Sequence, residues 1–154
     1  VTKETLLELG DTTLVRRPEQ DTTDLQKALD YVESRSNGEC SVLVFGATGE
    51  RPDHFLGNIS LIPQYQNRLV IELIDEEYSI KLVRKQLSIS GAPGDTVSLW
   101  PLSEKAAGVT TTGLKYNLKN KTIPQGTLGI SNELEKPEAT VKVRSGSLLA
   151  IIHH

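Results

Sequence analysis

The fold class is decided by the stretch Ser41-Val42-Leu43-Val44-Phe45-Gly46-Ala47-Thr48-Gly49, in which an apolar run leads directly into a glycine-containing turn. An uninterrupted apolar run of this kind is typical of a strand that is buried on both faces, as in a parallel sheet. The segment after the turn favours a helix, because Pro52 suits a first helical position and apolar side chains recur at helical spacing as far as Pro63.

The same alternation extends on both sides of this stretch. Upstream, residues 12–16 predict a short strand and residues 21–34 predict a helix with Asp21 as its N-cap. Downstream, residues 69–74 predict a second buried strand. Strands and helices in alternation predict a parallel sheet with helices on its faces. Because three strands leave an open sheet edge, we expect a further βαβ unit upstream of Val1.

After Asp75 the hydrophobic pattern changes to a period of two. Short β-prone segments separated by Gly and Pro turns are typical of an antiparallel sandwich. The predicted strands are residues 78–83, 86–90, 96–99, 108–114, 127–130, 140–143 and 148–152. The sequence therefore predicts an α/β plus all-β protein. A partial parallel α/β domain spans residues 1–75, and an antiparallel β-sandwich spans residues 76–154.

Composition narrows the classes of function. The 154 residues are 37% hydrophobic and 24% charged, which is enough for a packed core in one domain or two small ones. The net charge of −3 argues against nucleic-acid or anionic-membrane binding. The apolar runs are too short to cross a bilayer. With Cys40 as the only cysteine, a reducing compartment is favoured, and we expect a soluble, cytoplasmic protein.

The first candidate cluster is Gln20-Asp21-Thr22-Thr23-Asp24, which lies where a helix is predicted to begin. Acidic residues at this point cap the helix and interact favourably with its dipole, and that role alone explains them. The alternative is functional, since two carboxylates at the carboxyl end of a parallel sheet are suited to hold Mg²⁺.

The second cluster is Gly46-Ala47-Thr48-Gly49-Glu50-Arg51-Pro52-Asp53-His54. A glycine loop between a strand and a helix exposes backbone N–H groups that can bind phosphate. Arg51 adds a cation, and Asp53 is suited to bind a metal or orient a hydroxyl. The sequence matches neither a P-loop nor a dinucleotide fingerprint, so a plain strand-to-helix turn stays the alternative.

The third cluster combines Val109-Thr110-Thr111-Thr112-Gly113-Leu114-Lys115-Tyr116 with Gly129-Ile130-Ser131-Asn132-Glu133. Threonine-rich segments are common in strands, and Ser-Asn-Glu is common in loops. Neither segment by itself indicates a function.

Taken in order, these motifs resemble those of the thiamine pyrophosphokinase family. The resemblance rests on residues 20–25, 46–54, 109–116 and 129–133 and covers nearly the whole chain. It implies an α/β nucleotide domain joined to a C-terminal β-sandwich. It also implies a homodimer that transfers a pyrophosphoryl group from ATP to the hydroxyl of thiamine, with Mg²⁺ as cofactor, giving thiamine diphosphate and AMP.

The resemblance also implies roles for individual residues. Asp24, Asp53 and Arg51 would be catalytic, and Asp24 with Asp21 would hold Mg²⁺. The nucleotide phosphates would contact Gly46, Ala47, Thr48, Gly49 and Arg51. Thiamine would contact Gln20, Thr111, Thr112, Ser131 and Asn132, in a cleft that the family builds from both subunits.

One family motif, Gly-Asp-x-Asp-Ser with its principal Mg²⁺-binding aspartates, does not occur in this sequence. Its position would fall just before Val1, so we expect the chain by itself to be catalytically weak. Two other hypotheses follow. The protein is a non-catalytic thiamine- or nucleotide-binding fragment, or it is an interaction module whose sandwich mediates dimerisation. Substitution of Asn132 or Thr111 would leave the last role intact.

Overall fold

The computed structural model describes residues 15–49 and 51–154. Its helices are α1 (Asp24–Arg35), α2 (Pro52–Leu61) and a 3-10 turn (Ile62–Tyr65). Its strands are β1 (Cys40–Phe45), β2 (Leu69–Ile74), β3 (Tyr78–Val83), β4 (Gln86–Ser90), β5 (Thr96–Pro101), β6 (Lys105–Thr112), β7 (Lys121–Pro124), β8 (Asn132–Glu133), β9 (Glu138–Lys142) and β10 (Leu148–His153). Among the described residues, no helix has the length and apolar character needed to cross a membrane.

The larger sheet has six strands in the order β1-β2-β3-β10-β5-β8. β1 and β2 are parallel, whereas every pairing from β2 onward is antiparallel. β1 and β2 are parallel because α2 carries the chain back to the end of the sheet at which β1 began, so that β2 starts there as well. A single sheet thus continues from the α/β segment into the all-β segment.

A second sheet packs over the antiparallel part of the first. Its four strands follow the order β4-β9-β6-β7. Apolar side chains of both sheets form one buried core, which includes Val83, Ile89, Val97, Leu99, Val109, Val141 and Leu148. The chain therefore combines an α/β unit with an antiparallel β-sandwich, which confirms the predicted fold class.

Both helices pack on one face of the parallel strands. Leu29 of α1 and Leu61 of α2 are buried against Leu69, Ile71 and Leu73 of β2. The predicted helical spacing explains this contact, because residues three and four apart share a helix face. Each such buried side chain contributes roughly 1.5–3 kcal/mol relative to an exposed one.

The expectation that the strand at residues 41–45 is buried on both faces is wrong for the described part of the chain. Burial along β1 alternates, with Leu43 58% and Phe45 69% exposed. The physical reason is that α1 and α2 cover the same face, so successive side chains of β1 alternate between helices and solvent.

The start of α1 differs from the prediction. The N-cap is Thr23, whose Oγ1 accepts a hydrogen bond from the Gln26 N–H, and not Asp21. Asp21 lies in a bend two residues earlier, outside the reach that N-capping needs.

The structure differs from the prediction at two of the predicted strands, residues 12–16 and 127–130. Residues 12–14 of the first lie outside the described residues, and Val15 and Arg16 form no strand. The predicted strand at residues 127–130 is a loop, because Gly129 has a φ of 99° and the Ile130 N–H closes a turn on the Thr127 carbonyl. Strands β7 and β8, on either side of this loop, were not predicted from the sequence. The other predicted strands are present, with ends shifted by a few residues.

Candidate functional site

The ends of two neighbouring parallel strands form the first part of the candidate site. β1 and β2 run in register, with Phe45 beside Ile74 at their carboxyl ends. The loop that begins at Gly46 therefore leaves the sheet next to Asp75, which follows β2. Ligands of open α/β sheets bind beyond this edge of the strands.

The glycine loop, residues 46–49, leads from β1 toward α2. Gly46 has a φ of 71°, a left-handed conformation that side-chain-bearing residues adopt only at a cost. An open pocket of about 200 Å³ lies beside the loop. It is lined by Gly46, Ala47, Gly49, Arg51, His54, Phe55 and Asn58. A loop that opens a helix in this way can offer backbone N–H groups to phosphate.

Two side chains fix the loop from outside it. Asn58 of α2 is buried and donates from Nδ2 to the Ala47 carbonyl over 2.9 Å. Thr48 donates its hydroxyl to the Asp75 carboxylate. That hydrogen bond is the main reason that the pKa of Asp75 is lowered, and the N–H groups of Glu76 and Glu77 act in the same direction.

Arg51 and Asp53 form a two-point ion pair where α2 begins. The Arg51 Nε atom donates to Asp53 Oδ1 over 3.1 Å, and an Nη atom donates to the second carboxylate oxygen. The hydrogen bond from Arg51 lowers the pKa of Asp53 to about 2, and Asp53 raises the pKa of Arg51. Both side chains are exposed, so the guanidinium is accessible to an incoming anion.

The predicted magnesium ligands lie at the start of α1, where Asp21 and Asp24 are both exposed. Lys27 Nζ lies 3.6 Å from Asp24 Oδ1. Asp24 lines a second pocket, of about 340 Å³, which shares no lining residue with the pocket at the glycine loop. Gln20 is exposed nearby, with Nε2 3.4 Å from the Pro18 carbonyl.

These carboxylates fit the donor chemistry of Mg²⁺. In residues 15–49 and 51–154, no three acidic, histidine or cysteine side chains group together as a full set of metal ligands. Mg²⁺ is, however, usually bound through one or two carboxylates, with water and substrate phosphates completing its shell. Asp21 and Asp24 supply such a partial set.

The sandwich supplies the second part of the candidate site. Asn132 is buried, and its Oδ1 accepts from the N–H groups of Tyr116 and Glu133 at 3.0 and 2.9 Å. Its Nδ2 donates to the Tyr116 carbonyl at 2.8 Å. Thr111, also buried, accepts from the Leu118 N–H at 2.8 Å. The structure thus brings Thr111 and Asn132 together around one turn.

The remaining predicted thiamine contacts are exposed and are not part of the buried hydrogen bonds of this turn. Ser131 is exposed, has a φ of 58°, and donates its N–H to Ser98 Oγ over 3.0 Å. Thr112 is exposed and lines a pocket with Thr110 and Thr140. Because neighbouring strand residues point to opposite faces, Thr112 does not share the surroundings of Thr111.

Tyr116 ends the third sequence cluster, but no role was predicted for it. The residue is 62% exposed although its backbone is held by Asn132, and Lys115 Nζ lies 5.6 Å from the ring centroid. Lys115 is paired with Glu133 at 2.8 Å, a contact that raises the pKa of Lys115. Tyr116 lies beside Asn132 because Leu114 pairs with Leu134, and the spacing of residues along the sequence does not reveal this pairing.

Comparison with known proteins identifies two family models along the chain. "Thiamin pyrophosphokinase, catalytic domain" matches residues 2–73, and "Thiamin pyrophosphokinase, vitamin B1 binding domain" matches residues 77–148. The chain is 36% identical over 149 residues to the thiamine pyrophosphokinase of Bacillus subtilis (strain 168), covering 89% of this chain and 65% of that protein. It is 34% identical to thiamine pyrophosphokinase 1 of Oryza sativa subsp. japonica, covering 94% of this chain and 58% of that one.

Solved structures show the same relationship. The thiamine pyrophosphokinase of Bacillus subtilis superposes with a TM-score of 0.79 at 35% identity, over 88% of this chain and 64% of that one. A thiamin pyrophosphokinase family protein of Enterococcus faecalis gives a TM-score of 0.81 at 28% identity, over 100% and 75%. The chain spans less than two thirds of the length of the Bacillus and Oryza relatives. With both domain models matched in order, the chain belongs to the thiamine pyrophosphokinase family.

Proposed function

We propose that the protein acts as a thiamine pyrophosphokinase, which transfers a pyrophosphoryl group from ATP to the thiamine hydroxyl. The observation that carries this proposal is the glycine loop with Arg51 at the carboxyl end of β1. This loop lies within the residues that match the family's catalytic domain, and it lies beside an open pocket where a strand leads into a helix, as phosphate-binding loops do.

In the proposed reaction the hydroxyl oxygen of thiamine attacks the β-phosphorus of ATP. The bond from the β-phosphorus to the oxygen that bridges it to the α-phosphorus breaks, and this oxygen leaves as part of AMP. The proton of the thiamine hydroxyl is released to solvent. The products are thiamine diphosphate and AMP. Phosphoryl transfers of this kind depend on positioning and on neutralising charge at the phosphate oxygens.

The residues around the glycine loop are proposed to hold ATP. The N–H groups of residues 46–49 bind phosphate oxygens, and the exposed guanidinium of Arg51 adds positive charge beside them. Asp53 holds Arg51 at two points and so orients its fork.

Asp21 and Asp24 are proposed to hold Mg²⁺, which when bound neutralises charge on the phosphate oxygens. Asp24 also orients the thiamine hydroxyl from the start of α1. The Asp24 carboxylate is exposed in the first turn of α1.

Thiamine is proposed to bind on the sandwich side, near the turn that Asn132 and Thr111 hold. Ser131 supplies an exposed polar group next to Asn132, and Tyr116 supplies an exposed aromatic side chain. Thr112 and Gln20 lie apart from this turn and are not assigned to it. Thiamine carries a cationic thiazolium ring, and cations bind favourably over aromatic faces.

A homodimer in the cytoplasm completes the proposal. Leu128 and Ile130 are exposed in the loop that precedes Asn132, and exposed apolar side chains grouped in one loop are typical of interaction surfaces. Sedimentation velocity is expected to give twice the chain mass, with Leu128→Asp shifting the protein toward a monomer.

The single Cys40 agrees with a reducing compartment.

The direct test is to incubate the protein with ATP, Mg²⁺ and thiamine and to quantify AMP and thiamine diphosphate by chromatography. Equal amounts of both products, formed only when thiamine is present, are the expected result. AMP released without thiamine would indicate a hydrolase instead. Thiamine or ATP binding with no product would favour the non-catalytic binding protein.

The role of Asp24 has its own test. Asp24→Asn is expected to lower kcat by about 100-fold or more with an unchanged melting temperature, because one charge is lost at the reacting phosphates. Glu19→Gln is the matched control, since it removes an exposed carboxylate close by in the sequence. A near-normal kcat for Asp24→Asn contradicts the assignment.

A further inference from the structure

Asp75, a residue outside all of the sequence motifs, holds the glycine loop. It lies just beyond the end of β2 and accepts a hydrogen bond from the hydroxyl of Thr48. The two residues are 27 positions apart, and the contact forms because Phe45 and Ile74 are register partners. We infer that Asp75 is a positioning residue, which through Thr48 holds the glycine loop in the conformation that receives the ATP phosphates. This inference rests on the proposed function.

The peptide between Ala47 and Thr48 shows how this positioning works. Asn58 donates to the Ala47 carbonyl, which therefore points toward α2. The described chain contains no cis peptide bonds, and in a planar trans peptide the following N–H points the opposite way. The Thr48 N–H is thus directed away from Asn58.

The hydroxyl of Thr48 is already committed. It has one proton, and that proton is donated to Asp75, so the hydroxyl cannot also donate to a phosphate oxygen. The side chain of Thr48 therefore serves as an anchor of the glycine loop and not as a ligand of ATP. Asn58 and Asp75 fix the same peptide unit from two sides, one from α2 and one from the end of β2.

The direction in which ATP affinity changes when Asp75 is substituted shows whether Asp75 acts by positioning the loop or by its charge. A carboxylate near phosphates repels them, so removing its charge would tighten ATP binding if Asp75 acted by charge alone. If Asp75 acts through Thr48, its removal weakens ATP binding instead. Asp75→Asn keeps an oxygen that accepts from Thr48 without the charge, and is expected to preserve most of the affinity.

The experiment measures ATP affinity by calorimetry in Mg²⁺ for Asp75→Ala, Asp75→Asn, Thr48→Val and the Thr48→Val/Asp75→Ala double variant. Loss of a hydrogen bond to a charged group predicts roughly tenfold or greater weakening for Asp75→Ala and for Thr48→Val. The double variant is expected to be no weaker than either single one, because both remove the same bond. In turnover, the KM for ATP rises while the KM for thiamine stays unchanged.

Glu76→Ala is the matched control, since it removes an exposed carboxylate beside Asp75 and is expected to change ATP affinity less than twofold. Tighter ATP binding by Asp75→Ala and Asp75→Asn, with Thr48→Val unchanged, overturns the inference. Should Asp75→Ala fail to fold, Thr48→Val decides the question with Asp75 in place.

A second readout needs no nucleotide. Amide hydrogen exchange of residues 46–49 in the unliganded protein is expected to accelerate in Asp75→Ala and Thr48→Val but not in Glu76→Ala. Unchanged exchange in both variants overturns the inference. If the wild-type protein binds no ATP, the proposed function and the phosphate role of the loop are overturned. The exchange rates then still show whether Asp75 orders the glycine loop.

Discussion

Asn132 shows how one buried amide can shape a surface that it does not reach. Its Oδ1 accepts from two backbone N–H groups and its Nδ2 donates to a carbonyl, all in the segments around Tyr116 and Glu133. These contacts hold the backbone of Tyr116 in place, so we expect Asn132 to influence thiamine binding through that turn. Direct contact between Asn132 and thiamine stays a prediction.

Asn132→Ala is expected to lower the free energy of unfolding by about 2–4 kcal/mol, because buried N–H and carbonyl groups lose their partners. The KM for thiamine should rise in the same variant as the Tyr116 turn loosens. Urea unfolding and thiamine titration measure the two effects. Asn37→Ala, at an exposed bend, is the control and should change stability by less than about 0.5 kcal/mol.

The Arg51–Asp53 pair gives a prediction about pH. The pKa of Asp53 is lowered to about 2 by Arg51, so the pair stabilises the fold above the ordinary pKa of 3.8 and is lost as pH falls toward 2. NMR titration of the Asp53 carboxyl should give a midpoint near 2 in the wild type. In Arg51→Met the midpoint should return toward 3.8, and an unchanged midpoint would show that Arg51 is not the cause.

At the scale of elements, the local hydrophobic pattern was enough to predict β1, α2 and β2 as elements, although it did not predict the alternating burial of β1. Local pattern failed at residues 127–130, where Gly129 and Ser131 adopt positive φ angles and end any strand. The Thr48–Asp75 contact was out of reach for a similar reason. It depends on the register of β1 against β2, which spacing along the chain does not encode.

Substitution of two glycines by alanine separates the cost of backbone strain from the cost of steric crowding. Gly46 and Gly113 have φ angles of 71° and 77°, but only Gly113 has a neighbour in the way, with a Cβ placed 2.2 Å from the Glu138 carbonyl oxygen. Gly46→Ala is expected to cost about 1–2 kcal/mol of stability from backbone strain. Gly113→Ala should cost clearly more, since β6 must also separate from β9. Equal losses in chemical denaturation would contradict this account.

At the scale of the whole molecule, β10 joins two cores. Leu148, Ala150 and Ile152 face the core between the sheets, whereas Leu149 packs with the helices. The predicted boundary after residue 75 is crossed by one continuous sheet, because β2 pairs with β3. Unfolding of either core must disturb the other.

Leu149→Ala tests this coupling. The buried side chain is fully enclosed, so its truncation is expected to lower stability by about 2–5 kcal/mol, against less than about 0.5 kcal/mol for the exposed Leu56→Ala. The fluorescence of Trp100, the only tryptophan and the register partner of Leu149, should report the same midpoint as helical circular dichroism. Two separate midpoints would show that the halves unfold independently.

The central place of β10 also limits the order in which a newly made chain can fold. β3 and β5 precede β10 by many residues, yet each gains its shared neighbour only when β10 has been synthesised. Until then both strands carry an open edge to which other nascent chains can pair. The six-stranded sheet can therefore be completed only after residues 148–153 have been synthesised, so β3 and β5 keep an open edge for most of synthesis.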